Sequence, residues 1–365
     1  MTRTVVVVGG GIMGCACAWE LARHGASVIL FERSIPGAEA SSAAAGILGA
    51  TVEARHDGPL ARLGRASLRL YPGFVRELTR RTGIDPEYRE CGVLEVDFRR
   101  RHGRRAGGHA ASVRSGSRVL DGRAMRRLEP ALSPRLVSGV LHARDARVDP
   151  RLLLRALRIA AARDGVVFRT GAYVRRVVTK SERAAGIALD DGEVVRAKHV
   201  VVAAGSWTTL VEGTGLAAGA VVPARGQIVE IETPEPLLGR VVFGQRAYLV
   251  PRDDGRVLVG STLEFVGYRR EVTAGAVHAL LGEAIRLVPA LANAELRSSW
   301  SSFRPYTRNE LPLIGNASIP GLVLATGHYR NGILLAPVTA AIVGALVRGT
   351  RPPVPLSAFA PGSSA

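Results

Sequence analysis

The chain has 365 residues, with 49 Lys and Arg against 31 Asp and Glu, so its formal net charge at pH 7 is +18. Its hydrophobic fraction of 47% and its charged fraction of 22% are those of an ordinary globular protein rather than of a disordered chain. The length predicts two domains, and the net charge alone does not predict a nucleic-acid partner.

The first residues alternate between strand and helix signals. Residues 5–8 form a β-branched run, which predicts a strand buried on both faces. Gly9, Gly11 and Gly14 then match the turn G-x-G-x-x-G, whose backbone can approach a pyrophosphate and whose helix directs its amides at that group. The helix that follows ends at Gly25.

A second predicted strand, over residues 28–31, carries an acidic residue at its end. Glu32 stands where such a residue binds ribose hydroxyls. The order of strand, turn, helix, strand and acid therefore predicts a dinucleotide site. Because Glu32 disfavours a 2′-phosphate, the pattern favours NAD or FAD over NADP and leaves these two open.

Small residues dominate the stretch 41–48. The hydroxyls of Ser41 and Ser42 can reach a phosphate oxygen, and the small side chains after them allow a ligand to pass close to the backbone. The alternative is the start of a helix capped by serine. The two interpretations are compatible.

The composition changes in the next part of the chain. Apolar residues at helical intervals predict one or two helices over 60–82, and a strand begins within 92–96. Residues 99–127 are rich in Arg, Gly, Ser and His. They fit either a patch for an acidic partner or a solvated loop, and the loop is favoured. No aromatic residues interleave with the arginines, which argues against binding of single-stranded nucleic acid.

The middle of the chain returns to nucleotide-binding signals. Residues 149–165 predict a helix, with Asp149 as its cap and a proline in its first turn. Short strands follow, and residues 200–203 form another buried strand that runs into 204–207. Gly205 in that segment makes a second close approach of backbone to a ligand plausible.

The last part of the chain predicts a different kind of sheet. An alternating strand at 223–231 and a hairpin formed by 247–251 and 257–262 predict antiparallel pairing. A helix with Thr273 as its candidate cap packs against it. A final strand within 321–327 leads into the last helix.

These elements predict an α/β protein whose chain crosses repeatedly between two domains. The first is a Rossmann-like nucleotide-binding domain built from residues 1–90, 150–220 and 305–365. The second is an α+β substrate-binding domain with an antiparallel sheet, built from residues 91–149 and 221–304.

Three further features lead to negative predictions. Few residues precede the first strand, which leaves no room for a signal peptide and predicts a cytoplasmic protein. Cys15, Cys17 and Cys91 lack the spacing of a metal site or a disulfide framework and are predicted to be buried thiols. The apolar run 332–347 is shorter than the ~20 residues of a membrane span and contains Pro337, so no membrane insertion is predicted.

Two motifs near the carboxyl terminus carry a family resemblance. Arg304-Pro305 is followed by Leu-Pro-Leu-Ile-Gly at 311–315 and by Gly-His-Tyr-Arg-Asn-Gly-Ile-Leu-Leu-Ala-Pro at 327–337. This combination resembles the signature of FAD-dependent oxidases of the D-amino-acid oxidase superfamily. The residues around Arg330 and those at 42–48 are most similar to the glycine oxidases of thiamine thiazole biosynthesis. The resemblance covers nearly the whole chain and is weakest in the Arg-rich segment.

The resemblance implies that FAD is bound by a domain of the glutathione-reductase type. Val174 would meet the adenine through its backbone, and Arg330 with the start of the last helix would lie near the pyrimidine edge of the flavin. The positions implied for FAD are Gly9, Gly11, Ile12, Met13, Gly14, Glu32, Arg33, Ser41, Ser42, Ala45, Gly46, Val174, Ala204, Gly205, Trp207, Arg330, Asn331, Gly332, Ile333 and Leu334.

The resemblance also implies three catalytic residues. Arg304 would bind the substrate carboxylate, and the hydroxyl of Tyr248 would assist in binding the same carboxylate. Arg330 is the third catalytic residue that the resemblance implies. The planar guanidinium of arginine suits bidentate binding of a carboxylate. The alternatives are a salt bridge between domains for Arg304, a core tyrosine for Tyr248 and a structural role for Arg330. For His328 a structural role is favoured over that of a general base.

The implied reaction is the FAD-dependent oxidative deamination of glycine or another small amino acid. Its products are the imino or oxo acid, ammonia and, with oxygen as acceptor, hydrogen peroxide. A thiazole synthase is an implied partner and a homo-oligomer an implied assembly. Leu263 stands where glycine oxidases have methionine, which leaves the pocket size open.

Other functions fit the same residues. They include a sarcosine-type oxidase and a D-amino-acid dehydrogenase with a quinone acceptor. No cysteine lies within 315–336 to form the covalent flavin link of monomeric sarcosine oxidase, which argues against that enzyme. A non-catalytic flavoprotein partner is the alternative of another class.

Overall fold

The computed structural model describes residues 4–53, 57–99 and 116–362, so most of the Arg-rich segment lies outside the described residues. The helices are α1 (Ile12–Ala22), α2 (Ala40–Ala43), α3 (Pro59–Thr82), α4 (Gly122–Leu128), α5 (Pro150–Arg163), α6 (Ala274–Leu287) and α7 (Gly332–Arg348). Short 3-10 helices span Gly205–Leu210, Pro289–Asn293 and Tyr329–Asn331.

The strands are numbered in chain order. They are β1 (Thr4–Val8), β2 (Ser27–Glu32), β3 (Ile47–Leu48), β4 (Val93–Asp97), β5 (Ser117–Asp121), β6 (Ser138–His142), β7 (Ala146–Arg147), β8 (Val167–Thr170), β9 (Val174–Lys180), β10 (Arg183–Leu189), β11 (Val194–Arg196), β12 (His199–Val202), β13 (Val222–Glu232), β14 (Val241–Phe243), β15 (Tyr248–Pro251), β16 (Arg256–Gly260), β17 (Glu295–Tyr306), β18 (Leu313–Asn316) and β19 (Leu322–Thr326).

A six-stranded sheet has the order β18-β19-β12-β1-β2-β8. Its neighbouring strands are parallel except β18 and β19. Val5 and Val7 of β1 pack with α1, α5 and α7, whereas Val6 and Val8 pack with β9 and β10 on the opposite face. Side chains alternate across a strand, so covering both faces explains why residues 5–8 of β1 are all apolar.

A second sheet has eight strands, in the order β17-β13-β16-β15-β14-β4-β6-β5. The neighbouring strands are antiparallel, as predicted, with one exception: β4 and β14 run parallel. These two strands belong to distant segments, so no hairpin forces them to be antiparallel. The sheet thus unites strands from both stretches that were predicted to form the substrate-binding domain.

Helix termini follow the sequence closely, with one correction. Asp149 caps α5 by accepting hydrogen bonds from the amides of Arg151 (2.8 Å) and Leu152 (3.1 Å), as predicted. A serine cap on α2 is wrong, because Glu39 occupies the cap position and its side chain makes no capping bond. Ser41 Oγ instead accepts from the amide of Ile12, at 2.8 Å.

The last helix is apolar because it belongs to the core. The segment Tyr329–Arg348 is long and apolar enough to cross a membrane, but 72% of its most hydrophobic window is buried within the protein. Helix α7 packs against α1 and α3. Burial of this kind is typical of a core helix.

The cysteines are all free thiols. Cys15 and Cys17 are buried as predicted, whereas Cys91 is only partly buried. Within the described ranges there is no group of three or more side chains able to hold a metal ion.

Helix α1 lies so close to β1 that Gly14 has no room for a side chain. A Cβ at Gly14 would overlap the carbonyl oxygen of Gly9, and rotating a side chain cannot relieve a clash with backbone. We therefore expect Gly14→Ala to lower the free energy of unfolding by about 2 kcal/mol, measured by urea denaturation.

Gly73→Ala is the matched control for this substitution. Gly73 also lies within a helix, but an added Cβ there meets no atom within 4 Å. This change should be neutral or stabilising by up to ~1 kcal/mol, since alanine favours helices. Equal urea midpoints for the two variants would contradict the close contact.

Candidate active site

A deep cleft separates the carboxyl ends of the six-stranded sheet from one face of the eight-stranded sheet. It contains about 1610 Å³ of empty space, counting its open mouth. Eighteen of the residues predicted for the site line it: Gly9, Gly11, Ile12, Met13, Glu32, Arg33, Ser41, Ala45, Gly46, Val174, Ala204, Gly205, Trp207, Tyr248, Arg304, Arg330, Gly332 and Ile333. The fold therefore gathers positions from the whole length of the chain around one cavity.

Four predicted residues do not line the cleft. Gly14 is buried where α1 meets β1, and Leu334 is buried in α7. The backbone carbonyl of Ser42 accepts a hydrogen bond from Arg151, at 3.1 Å. Asn331 occupies the N-cap position of α7 without making a side-chain capping bond. Any contact of these four with a ligand stays a prediction.

The glycine turn forms one end of the cleft as bare backbone. Gly9 has a φ of 104°, and a Cβ at this position would lie 2.6 Å from the carbonyl oxygen of Ala203. The N-cap residue of α1 is Gly11, which has no side chain, and Ser41 Oγ accepts from the amide of Ile12 at the start of the helix. Backbone at the surface and a helix amino terminus directed at the cleft suit the pyrophosphate of a dinucleotide.

Glu32 is held firmly beside this turn. Its carboxylate accepts hydrogen bonds from the amides of Gly10 (2.7 Å) and Ser34 (2.9 Å). The acidic side chain thus lies at the end of β2, where a ribose can meet it. With the glycine turn and the amino terminus of α1, this arrangement fits the ADP half of FAD.

An aromatic and charged cluster borders the same end of the cleft. The guanidinium of Arg33 lies 3.9 Å from the ring centre of Trp207, which in turn stacks on Tyr268. Arg33 is also paired with Glu39 at 2.7 Å, and Glu39 with Arg270 at 2.5 Å. The Glu39 charge is therefore already balanced by two arginines.

Arg304 lies on the eight-stranded sheet, at the other end of the cleft. Its guanidinium donates to the carbonyl of Thr262 (3.2 Å) and to Ser261 Oγ (2.5 Å). Among the described residues no carboxylate lies within salt-bridge distance of it, so the alternative of a salt bridge between domains is not found. These bonds aim the guanidinium while leaving its charge for a ligand.

Two glycines make room for the predicted substrate-binding side chains. A Cβ at Gly226 would overlap the guanidinium of Arg304, and one at Gly260 would lie 2.5 Å from the hydroxyl oxygen of Tyr248. Tyr248 is 8% exposed, and its hydroxyl has no hydrogen-bond partner in the part of the chain that the structure describes. The sheet surface is therefore shaped around Arg304 and Tyr248.

Arg330, unlike Arg304, has an acidic partner. Its Nε lies 3.0 Å from the carboxylate of Glu53, which raises the pKa of Arg330 above its ordinary value. Arg330 follows Tyr329, whose φ of 47° is unusual for a residue with a side chain. Backbone strain of this kind is often found at functional sites.

His328 lines the cleft but is not equipped as a base. It is 3% exposed, its Nε2 lies 3.1 Å from Thr339 Oγ1, and burial lowers its pKa to about 3. The imidazole is therefore neutral near pH 7 and held within the protein.

Leu263 is 49% exposed and does not line the cleft. Leu263 therefore does not form part of the cleft wall.

Sequence reasoning did not identify Glu53, Ser261 or Tyr329, although all three line the cleft. Glu53 belongs to no motif, and its role depends on contacts with distant residues. Ser261 and Tyr329 lie within predicted elements, the hairpin strand 257–262 and the carboxyl-terminal motif 327–337, so their positions in those elements could have indicated them.

Comparison with known proteins agrees with this geometry. Residues 4–346 match the family model for the FAD dependent oxidoreductase family, DAO. Glycine oxidase from Geobacillus kaustophilus is 35% identical over 365 residues, covering 97% of this chain and 95% of the relative. The crystal structure of glycine oxidase from the same organism superposes with a TM-score of 0.91 and 33% identity, covering 100% of both chains.

A second kind of relative is longer than this chain. The bifunctional protein ThiO/ThiG from Nostoc is 36% identical over 351 residues, covering 95% of this chain. The chain spans about half of that relative's length, 53%. The family model covers most of the chain, and the cleft offers the backbone cradle and acidic residue that FAD requires. This protein therefore belongs to the DAO family of FAD-dependent oxidoreductases, and FAD is its cofactor.

Proposed function

We propose that the protein oxidises glycine, or another small amino acid, at the carbon that carries the amino group. When bound, FAD supplies the two-electron oxidation of this carbon. Water then converts the imino acid to the oxo acid and ammonia. With oxygen as final acceptor, glycine, O2 and water give glyoxylate, ammonia and hydrogen peroxide.

The observation that carries this proposal is the environment of the Arg304 guanidinium. This guanidinium faces the cleft without an acidic partner among the described residues, and it is oriented by Ser261 and Thr262. A bidentate pair with a carboxylate would fix both the position and the rotation of a small substrate. Arg304 therefore binds the carboxylate, and the Tyr248 hydroxyl donates to the same group.

No acid–base pair is required for this chemistry. Burial lowers the pKa of His328 to about 3 and its Nε2 is hydrogen-bonded to Thr339, so the imidazole is a poor proton acceptor near pH 7. An amino acid that binds with a neutral amine needs no base from the protein.

The choice of glycine is supported by the glycine oxidase from Geobacillus kaustophilus, which matches nearly the whole chain. The fused ThiO/ThiG relative supports a thiazole synthase as a partner. Homo-oligomeric assembly and a cytoplasmic location are further proposals that rest on the sequence alone.

The proposed function is tested by the absorption spectrum of the purified holoenzyme. We expect glycine, added without oxygen, to bleach the flavin bands, and air to restore them with formation of hydrogen peroxide. Bleaching by larger amino acids but not by glycine would change the substrate. A flavin that no amino acid bleaches would contradict the proposal.

Removing the guanidinium of Arg304 tests the carboxylate site. We expect Arg304→Ala to weaken binding of glycine by at least ~2 kcal/mol, about thirtyfold in affinity, because a charge-assisted bidentate pair is lost. Steady-state KM and kcat values measure this effect. Arg308→Ala removes an exposed arginine of the same strand–loop region that does not line the cleft, and its KM should stay unchanged.

Gly226→Ala tests whether the sheet surface positions Arg304. The added methyl would displace a flexible guanidinium rather than backbone, so we expect KM to rise about tenfold with little loss of stability. Gly282→Ala, at a helical position where a Cβ meets nothing within 4 Å, is the control. An unchanged KM for Gly226→Ala would show that Arg304 does not need this space.

A further inference from the structure

A fully buried carboxylate lies outside the cleft and anchors a turn that reaches into it. Asp145 is 0% exposed and lies between β6 and β7. Its Oδ1 accepts from the amide of Thr51 (2.9 Å) and its Oδ2 from the amide of Val52 (2.8 Å). Burial raises the pKa of Asp145 to about 6, so the group is ionised near pH 7 and can accept both bonds.

The anchored turn carries Glu53. The amide of Glu53 donates to the carbonyl of Gly49 at 3.1 Å, which closes the turn that Asp145 holds. The Glu53 side chain is only 14% exposed and lies 3.0 Å from Arg330. Asp145 is thus connected to the cleft through two backbone amides and one ion pair.

Glu53 is the acidic group available to this end of the cleft. In the part of the chain that the structure describes, three acidic side chains line the cavity. Glu32 is bonded to Gly10 and Ser34, and Glu39 is paired with Arg33 and Arg270. Both belong to the nucleotide end. Glu53 is therefore the partner that balances the charge of Arg330.

Arg304 and Arg330 both line the cleft and both interact electrostatically with Tyr329, so they lie at the same end, the substrate end. The pairing of Arg330 with Glu53 gives these two arginines different roles. Arg304 has no acidic partner among the described residues, whereas the charge of Arg330 is balanced by Glu53. A cleft with two unbalanced guanidinium groups would favour a substrate with two carboxylates, since each could form a charge-assisted pair. Because Glu53 balances the charge of Arg330, only Arg304 is left to bind a substrate carboxylate, and the site therefore binds one carboxylate.

We propose that Glu53 determines specificity for amino acids with a single carboxylate by neutralising Arg330, and that Asp145 is the positioning residue that holds Glu53 in place. The assignment of Arg304 as the carboxylate anchor rests on the proposed function. Amino acids with a second carboxylate are then the class of substrate that the site rejects.

The test measures binding without turnover. Acetate and malonate, a monocarboxylate and a dicarboxylate that cannot be oxidised as amino acids, are titrated into the holoenzyme and followed by the perturbation of its flavin absorbance. We expect Glu53→Gln to raise the affinity for malonate relative to acetate by about tenfold, because Arg330 becomes free to bind the second carboxylate. Unchanged relative affinities would overturn the proposal.

A double-mutant cycle tests the role of Asp145. Asp145→Asn should shift the relative affinity in the same direction as Glu53→Gln, and it should add nothing in the Glu53→Gln background. A further shift in the double variant would show that Asp145 acts by another route. Glu129→Gln is the control, because Glu129 is 2% exposed and bonded to a backbone amide and an arginine, but does not line the cleft.

Turnover separates this inference from the proposed function. We expect Glu53→Gln to gain activity on iminodiacetate relative to glycine, a gain that general damage to the fold cannot produce. If the natural protein oxidises no amino acid but the acetate and malonate affinities shift as expected, the proposed function fails and the inference stands. If the natural protein oxidises glycine but the acetate and malonate affinities of Glu53→Gln do not shift, the proposed function stands and the role of Glu53 is overturned.

Discussion

The contact between α1 and β1 at Gly9 and Gly14 is the constraint on which the nucleotide end of the cleft depends. Only because Gly14 lacks a side chain can α1 begin directly at the end of β1, with its first amides at the cleft. Glu32 then ties β2 to the turn through Gly10, and Ser41 ties the following segment to Ile12. These bonds preorganise the FAD cradle.

The substrate end depends on charge rather than on close backbone contact. Two guanidinium groups line one cavity and both interact electrostatically with Tyr329. They differ because Arg330 has an acidic neighbour, whereas Arg304 has none among the described residues. Gly226 leaves space for Arg304, while Glu53 neutralises Arg330. The same residue type thus serves as an anchor in one position and as part of a neutral wall in the other.

Local signals in the sequence were sufficient for the nucleotide end. The glycine turn, the acid after β2 and the cap at Asp149 each involve residues close together in the chain, where spacing reflects geometry. The parallel pairing of β4 with β14 and the bond of Asp145 to Thr51 join residues far apart, so no local spacing encodes them. For the same reason Glu53 gave no signal, and the helical positions of Gly14 and Leu334 did not reveal that these residues are absent from the lining of the cleft.

The parallel pair of β4 and β14 has a consequence for how the protein is made. Val93 pairs with Val241, and the six-stranded sheet is incomplete until β19 has been added. Neither sheet can therefore be completed during synthesis before most of the chain has left the ribosome. Until β14 has been made, β4 keeps one unpaired edge. The cleft that joins the two sheets is among the last parts of the molecule to form.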